Sequence, residues 1–289
     1  MTDHWLILGA GYVGGRMARQ LTQEGHAVIA TLRAPEHAQA LEEAGVYAVL
    51  HDFSGDDVRL PERHPRVAVL SIPPTRDGEP FAEGAALAWA AAQGAQRIIY
   101  WSSTSVYGSS DGAEVREDTN VAPDTEIGRR RLEAEVRVRN AAATLELPVA
   151  IVRMVGIYGP GRNLKQRLER GDYRLVDEGE MWSNRIHVDD IIGATRHIAE
   201  QADFEGVWLL SDGRPFQVRD FVRWNVEQLG LPMPPNVSIG ELAERARAFW
   251  TGNRKVIPAR LEASGWQPMW PDWREGTLAC WREEGVHNP

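Results

Sequence analysis

The amino-acid sequence predicts an α/β fold built on a doubly wound parallel sheet, and three observations predict it. Before Trp101, short apolar runs alternate with helix-like stretches in the rhythm of a parallel sheet. The runs are apolar on both faces rather than alternating, as strands covered by helices on two sides are. The first run, Trp5-Leu6-Ile7-Leu8, breaks into Gly9-Ala10-Gly11-Tyr12-Val13-Gly14-Gly15, a G-x-G-x-x-G turn that opens a helix.

That strand, turn and helix make up the dinucleotide-binding unit of a Rossmann sheet. Gly9 allows the tight turn, Gly11 lets the backbone approach a pyrophosphate, and Gly14 lets the helix pack close to the strand. The pyrophosphate is expected on the helix amides around Tyr12 and Val13, at the positive end of the helix dipole. Gly25 ends this helix, and Ala27 to Leu32 reads as the second strand. An NAD site carries a carboxylate after that strand to receive the ribose hydroxyls, whereas an arginine accommodates a 2′-phosphate. Here Arg33 stands at the strand end, with no acid until Glu36. The expected cofactor is therefore NADP(H), with NAD(H) as the alternative.

Pro35 to Gly45 reads as a helix with proline at its start and glycine at its end. Val46 to Leu50 is a third strand, and Asp52 after it either touches the adenine end of the cofactor or forms a turn. Arg66 to Ile72 is a fourth strand, whose end, Ser71-Ile72, leads into Pro73-Pro74 as a rigid border of the cofactor site. Phe81 to Gln93 is an alanine-rich helix, and Arg97 to Trp101 is the fifth strand. Ligands of such sheets bind beyond the carboxyl ends of the strands. The hydroxyl cluster Ser102-Ser103-Thr104-Ser105-Val106-Tyr107-Gly108 emerges there, either lining the reacting end of the site or satisfying strand-end backbone groups. Pro148 to Val155 is a sixth strand and Val207 to Ser211 a last one. Asp189 or Asp190 reads as the cap of a helix through Glu200, and Val218 to Leu229 as a later helix. The five tryptophans from Trp250 onward read as packing area rather than a sugar-stacking surface.

The 289 residues carry a formal charge of −9, which argues against nucleic acid or an anionic membrane as partner. The single cysteine, Cys280, excludes an internal disulfide, and the histidines show no metal-ligand spacing, so no metal site is expected. Asn236-Val237-Ser238 fits a glycosylation acceptor but reads as a surface loop. No signal-like or membrane-spanning run stands out, so the chain reads as cytoplasmic, acting on a small molecule as a monomer or homodimer.

Four motifs occur together: the glycine turn at Gly9, S-S-x-x-V-Y-G at Ser102 to Gly108, Val152-Arg153 leading to Gly156-Ile157-Tyr158-Gly159-Pro160-Gly161, and Arg185-Ile186-His187-Val188-Asp189-Asp190. Their order resembles that of the extended short-chain dehydrogenase/reductases, the NAD(P)-dependent epimerases, dehydratases and reductases, across nearly the whole chain. The resemblance implies a Rossmann domain over residues 1–158, rejoined by 186–211, and a smaller C-terminal substrate domain over 159–185 and 212–289. It also implies a catalytic serine, matched by Ser103, and a tyrosine and lysine four residues apart on the next helix. The positions that match are Ile127 and Arg131. Ile127 has no proton to give, and Arg131, still able to hydrogen-bond a ribose, is always charged. In this respect the chain resembles the atypical branch of YeeZ-like proteins, which lack the standard pair. Tyr107 and Tyr158 are left as substitute proton donors, and His187 as a substrate-side candidate. Arg129 to Arg131 otherwise reads as a solvated helix face offset by Glu126, Glu133 and Glu135. Asn253-Arg254-Lys255 reads as a phosphate contact or a solvated turn.

Overall fold

The computed structural model describes residues 4–51, 53, 65–74, 82–242, 247 and 249–286. A seven-stranded sheet forms its frame, built from β1 (His4–Leu8), β2 (Ala27–Leu32), β3 (Tyr47–Leu50), β4 (Val67–Leu70), β5 (Arg97–Ser103), β6 (Val149–Met154) and the strand Gly206–Leu210. Across the sheet the order is Gly206–Leu210, β6, β5, β4, β1, β2, β3. β1 is parallel to both neighbours, with Leu8 level with Thr31 on one side and Leu70 on the other. The order reverses at β1 and β4, and open α/β sheets bind ligands beyond the strand ends at such a point.

The central apolar runs form strands because they are sealed under helices, whereas β3 at the sheet edge leaves Tyr47 and Leu50 exposed. Leu6, Leu8, Ala68, Leu70, Ile98 and Tyr100 are all fully buried, packing with Leu87 and Ala90 of α3 (Ala82–Ala92) and Ala134 and Val138 of α4 (Glu126–Thr144). α1 (Tyr12–Gln23) buries Val13, Met17, Ala18 and Leu21 on one stripe, the spacing of a helix against a sheet. After β2, Pro35–His37 forms a single 3-10 turn and α2 covers only Ala38–Glu42, so the expected helix is split in two.

Two compact units result. The first comprises Met1–Ser103, Arg130–Arg153 and Thr195–Trp208; the second comprises Thr104–Arg129, Met154–Ala194 and Leu209–Pro289. Segment 104–129, grouped from the sequence with the sheet, thus packs with the second unit. That unit has its own core, in which Tyr158, Leu168, Phe216, Phe221, Val222 and Trp273 come together. Phe221 lies edge-on to Trp273 at 4.8 Å, and Trp273 and Trp281 are both buried, so these two tail tryptophans serve packing. Among the described residues no helix is long and apolar enough to cross a membrane.

Candidate functional site

In the first unit the glycines of the turn each have a distinct steric reason. Gly9 holds φ at +99°, and a Cβ there would stand 3.1 Å from both Ser71 and Ile72. Those two residues therefore lie directly against the turn. A Cβ on Gly14 would come within 2.8 Å of the Gly9 carbonyl oxygen, so the helix closes tightly on the turn. At Gly11, by contrast, nothing lies within 4 Å of the Cβ position. Gly11 is the N-cap of α1, and no side chain caps the helix. Thr31 of β2 pins the turn from beneath: its Oγ1 accepts from the Gly9 amide at 3.0 Å and its carbonyl from the Ala10 amide at 2.6 Å. Open space beside an uncapped helix start suits an anionic diphosphate, so the residues present fit a dinucleotide. Val13 is buried behind this surface and Tyr12 borders it, partly exposed. Arg33 follows β2 directly, is exposed, and has no ion-pair partner among the described residues. Asp52 lies outside the described residues.

At the carboxyl end of β5, α4 meets the sheet. Ile127 lies in the first turn of α4 with 53% of its surface exposed, and Arg131 follows one turn later. Arg131 Nη1 donates to the Tyr100 hydroxyl and to the Trp101 carbonyl, both at 3.2 Å. Burial pushes the Tyr100 phenol up to about 12 against the opposing pull of Arg131.

Glu135 is a correction to the sequence reading. Rather than a solvated acid balancing the arginines, it is fully buried. Ser102 Oγ donates to its Oε1 at 2.5 Å, and Arg153 of β6 grips it, Nε to Oε1 at 3.0 Å and Nη2 to Oε2 at 2.7 Å. A carboxylate enters such a core only when paired. One sequence signal pointed to it: an arginine within the otherwise apolar β6 needs a buried acid. Arg129 does pair with Glu126 on the surface at 3.2 Å, three residues apart. Ser103, which ends β5, is partly exposed.

The remaining sequence candidates fall in the second unit. Tyr107 ends a 3-10 turn, Thr104–Tyr107, and is buried. Tyr158 ends the strand Gly156–Tyr158, also buried; its hydroxyl touches the place where a Cβ on Gly276 would stand and has no hydrogen-bond partner among the described residues. Desolvation drives that phenol far above its ordinary range, with Asp212 adding to the effect. His187 is buried between the Tyr158 and Trp270 rings; its Nε2 lies 3.3 Å from Cys280 Sγ, and its Nδ1 accepts from the Asp189 amide at 3.2 Å.

Asp189 and Asp190 stand inside the first turn of the helix Val188–Glu200 rather than at its N-cap, because that helix already begins at Val188. Asp190 instead accepts from the Met269 and Trp270 amides, at 2.6 and 3.2 Å, and anchors the tail. Asn253-Arg254-Lys255 is likewise neither a solvated turn nor an open phosphate site. Asn253 Oδ1 accepts from the Trp182 amide at 2.8 Å, Arg254 donates to the Gly108 carbonyl, and Lys255 Nζ lies 4.1 Å from the centre of the Trp182 ring.

The description of the NAD dependent epimerase/dehydratase family matches residues 84–208, and that of ketopantoate reductase PanE/ApbA matches residues 5–80. Protein YeeZ of Escherichia coli K12 is 31% identical over 198 residues, covering 65% of this chain and 70% of YeeZ. The chain belongs to the NAD-dependent epimerase/dehydratase family, in its YeeZ-like branch. A functionally unknown conserved protein from Silicibacter pomeroyi shares the fold of this family member with a TM-score of 0.85, at 31% identity over 98% of this chain and 99% of the other. A 3-diazoavenalumate denitrifying reductase from Streptomyces is 25% identical over 94% of this chain and 98% of its own length. At the position where the sequence resemblance expects a tyrosine, the structure has an exposed Ile127, one turn before Arg131.

Proposed function

We propose that the chain is an NADP(H)-dependent oxidoreductase acting on a small carbonyl or alcohol. The observation that carries this reading is the pairing of an open, uncapped α1 start with an exposed Arg33 one strand away and unpaired among the described residues. A carboxylate would repel a 2′-phosphate at that position, whereas a guanidinium binds it through two donors. When bound, the dinucleotide supplies a hydride donor or acceptor. Gly9, Gly11 and Gly14 make room for its diphosphate, the amides around Tyr12 and Val13 bind it, and Ser71 and Ile72 border it. The remaining donors of Arg131 serve the nicotinamide ribose, and Ser103 hydrogen-bonds the substrate oxygen. The proton comes from Tyr107 or from water. Tyr158, the other substitute, has its hydroxyl enclosed against Gly276, without a hydrogen-bond partner among the described residues, and is the weaker candidate.

A second reading is a non-catalytic NADP(H)-binding protein that couples redox state to a partner. The exposed, proton-free side chain of Ile127 at the usual tyrosine position favours it. A nucleotide-sugar epimerase is supported least, because that chemistry needs the missing tyrosine. A metabolite panel read by NADPH absorbance separates the readings. An oxidoreductase turns over at least one carbonyl compound, and Ser103→Ala abolishes that turnover while NADPH affinity stays within threefold of wild type. A silent panel with tight NADPH binding favours the second reading, and unchanged turnover in Ser103→Ala removes the serine from the mechanism.

A further inference from the structure

β4 ends at Leu70, level with Tyr100, and β5 runs on through Trp101, Ser102 and Ser103 past that register. Each residue leading to Ser103 is held. Arg131 binds the Tyr100 hydroxyl and the Trp101 carbonyl, the Trp101 indole nitrogen donates to Thr195 Oγ1 at 3.2 Å, and Ser102 donates to Glu135. Glu135 lies four residues after Arg131 and therefore on the same face of α4. Arg153 holds it from the neighbouring strand, and Arg139 approaches its Oε2 at 3.5 Å. We propose that Glu135, with Arg131 and Arg153, forms a clamp that fixes the carboxyl end of β5 and thereby the position of Ser103.

The clamp divides the two adjacent serines. Side chains alternate across a strand, so Ser102 and Ser103 point to opposite faces. Ser102 is buried with its proton committed to Glu135, which leaves Ser103 as the hydroxyl on the other face. A fully paired network in a low-dielectric interior is rigid, and it holds β5 on the α4 side past the last residue paired with β4. Glu135 is thus a positioning residue. The task given to Ser103 rests on the oxidoreductase reading; the clamp does not.

Amide hydrogen exchange on the cofactor-free full chain tests it, read at peptides covering Tyr100–Ser103 and His4–Leu8. Ser102→Ala and Glu135→Gln are expected to speed exchange at Tyr100–Ser103 at least tenfold, leaving His4–Leu8 within twofold of wild type. Rates at Tyr100–Ser103 within twofold of wild type overturn the clamp, and equal acceleration of both peptides reduces Glu135 to a general stabiliser. If Glu135→Gln does not fold, Ser102→Ala decides alone, because it leaves the Glu135–Arg153 pair intact. Failure of the wild-type chain to bind NADPH would remove the cofactor reading and leave this result standing, since exchange is read without cofactor.

Discussion

Replacing Asp212 with asparagine should make the protein more stable, increasingly so as pH rises. Asp212 is 6% exposed; its Oδ1 accepts from the Arg214 amide at 3.0 Å, while its Oδ2 has no hydrogen-bond partner among the described residues. Desolvation is the main cause that lifts its carboxyl from 3.8 to about 8; Asp272 and Asp190 push the same way, and the Arg214 amide and charge oppose them. The folded value lies above the unfolded one, so the folded chain keeps the acid form. Stability from this group is complete below about pH 3.8, declines as pH rises, and levels off above about pH 8. At about 1.4 kcal/mol per unit, the loss grows from roughly 2 kcal/mol at pH 5 to roughly 6 kcal/mol at pH 8. Asparagine keeps the neutral shape and has no proton to lose. Urea denaturation of wild type and Asp212→Asn at pH 5, 6.5 and 8 reads the gap directly, provided the slope with denaturant is unchanged. The variant's advantage should widen by about 4 kcal/mol between pH 5 and 8. A gap that stays constant with pH, or a variant less stable than wild type at pH 8, refutes the reasoning. Asp190, pushed up to about 6 mainly by burial, should cause a smaller decline in both proteins that is complete near pH 6.

Two further outcomes follow from the first unit. Gly14→Ala drives a methyl to 2.8 Å from the Gly9 carbonyl oxygen, a backbone atom that cannot swing away; NADPH affinity measured by fluorescence should fall at least tenfold, and an unchanged affinity would show that the turn does not hold the cofactor. Ile127→Tyr, at a position 53% exposed, should change stability by no more than about 0.5 kcal/mol. By returning a phenol one turn before Arg131, it should raise turnover of a substrate by about 10²- to 10⁴-fold, the usual range for a general acid; a rate equal to wild type would mean that proton transfer does not limit the reaction.

Where local pattern and terminators agreed, the sequence was a good guide. β2 runs from Ala27 to Leu32 and the helix Val218–Leu229 ends before Gly230, each with the bounds read from the residues alone. The glycine turn was legible because its steric demands are local: Gly9 is crowded by the end of the neighbouring strand and Gly14 by the Gly9 carbonyl, while Gly11 faces open space. Pairing over long range was not legible. Glu135 sits among surface-type charges on α4, and only its meeting with Arg153 and Ser102 explains its burial. β5 itself runs to Ser103, two residues beyond the apolar run. Asp190 looks like a helix cap because the amides it serves, at Met269 and Trp270, lie far along the chain. Asn253-Arg254-Lys255 looked solvated because Trp182 and Gly108, its partners, belong to distant segments.

The central claim is that the turn from Gly9 to Gly14 seats a dinucleotide whose 2′-phosphate meets Arg33. Side-by-side equilibrium titration of NADPH and NADH, on wild type and Arg33→Ala, tests it most directly. A charge-assisted contact contributes about 1.5–3 kcal/mol, so wild type should prefer NADPH by about ten- to a hundredfold and the variant by less than threefold. NADH binding to wild type as tightly as NADPH, or a preference unchanged by Arg33→Ala, would contradict it.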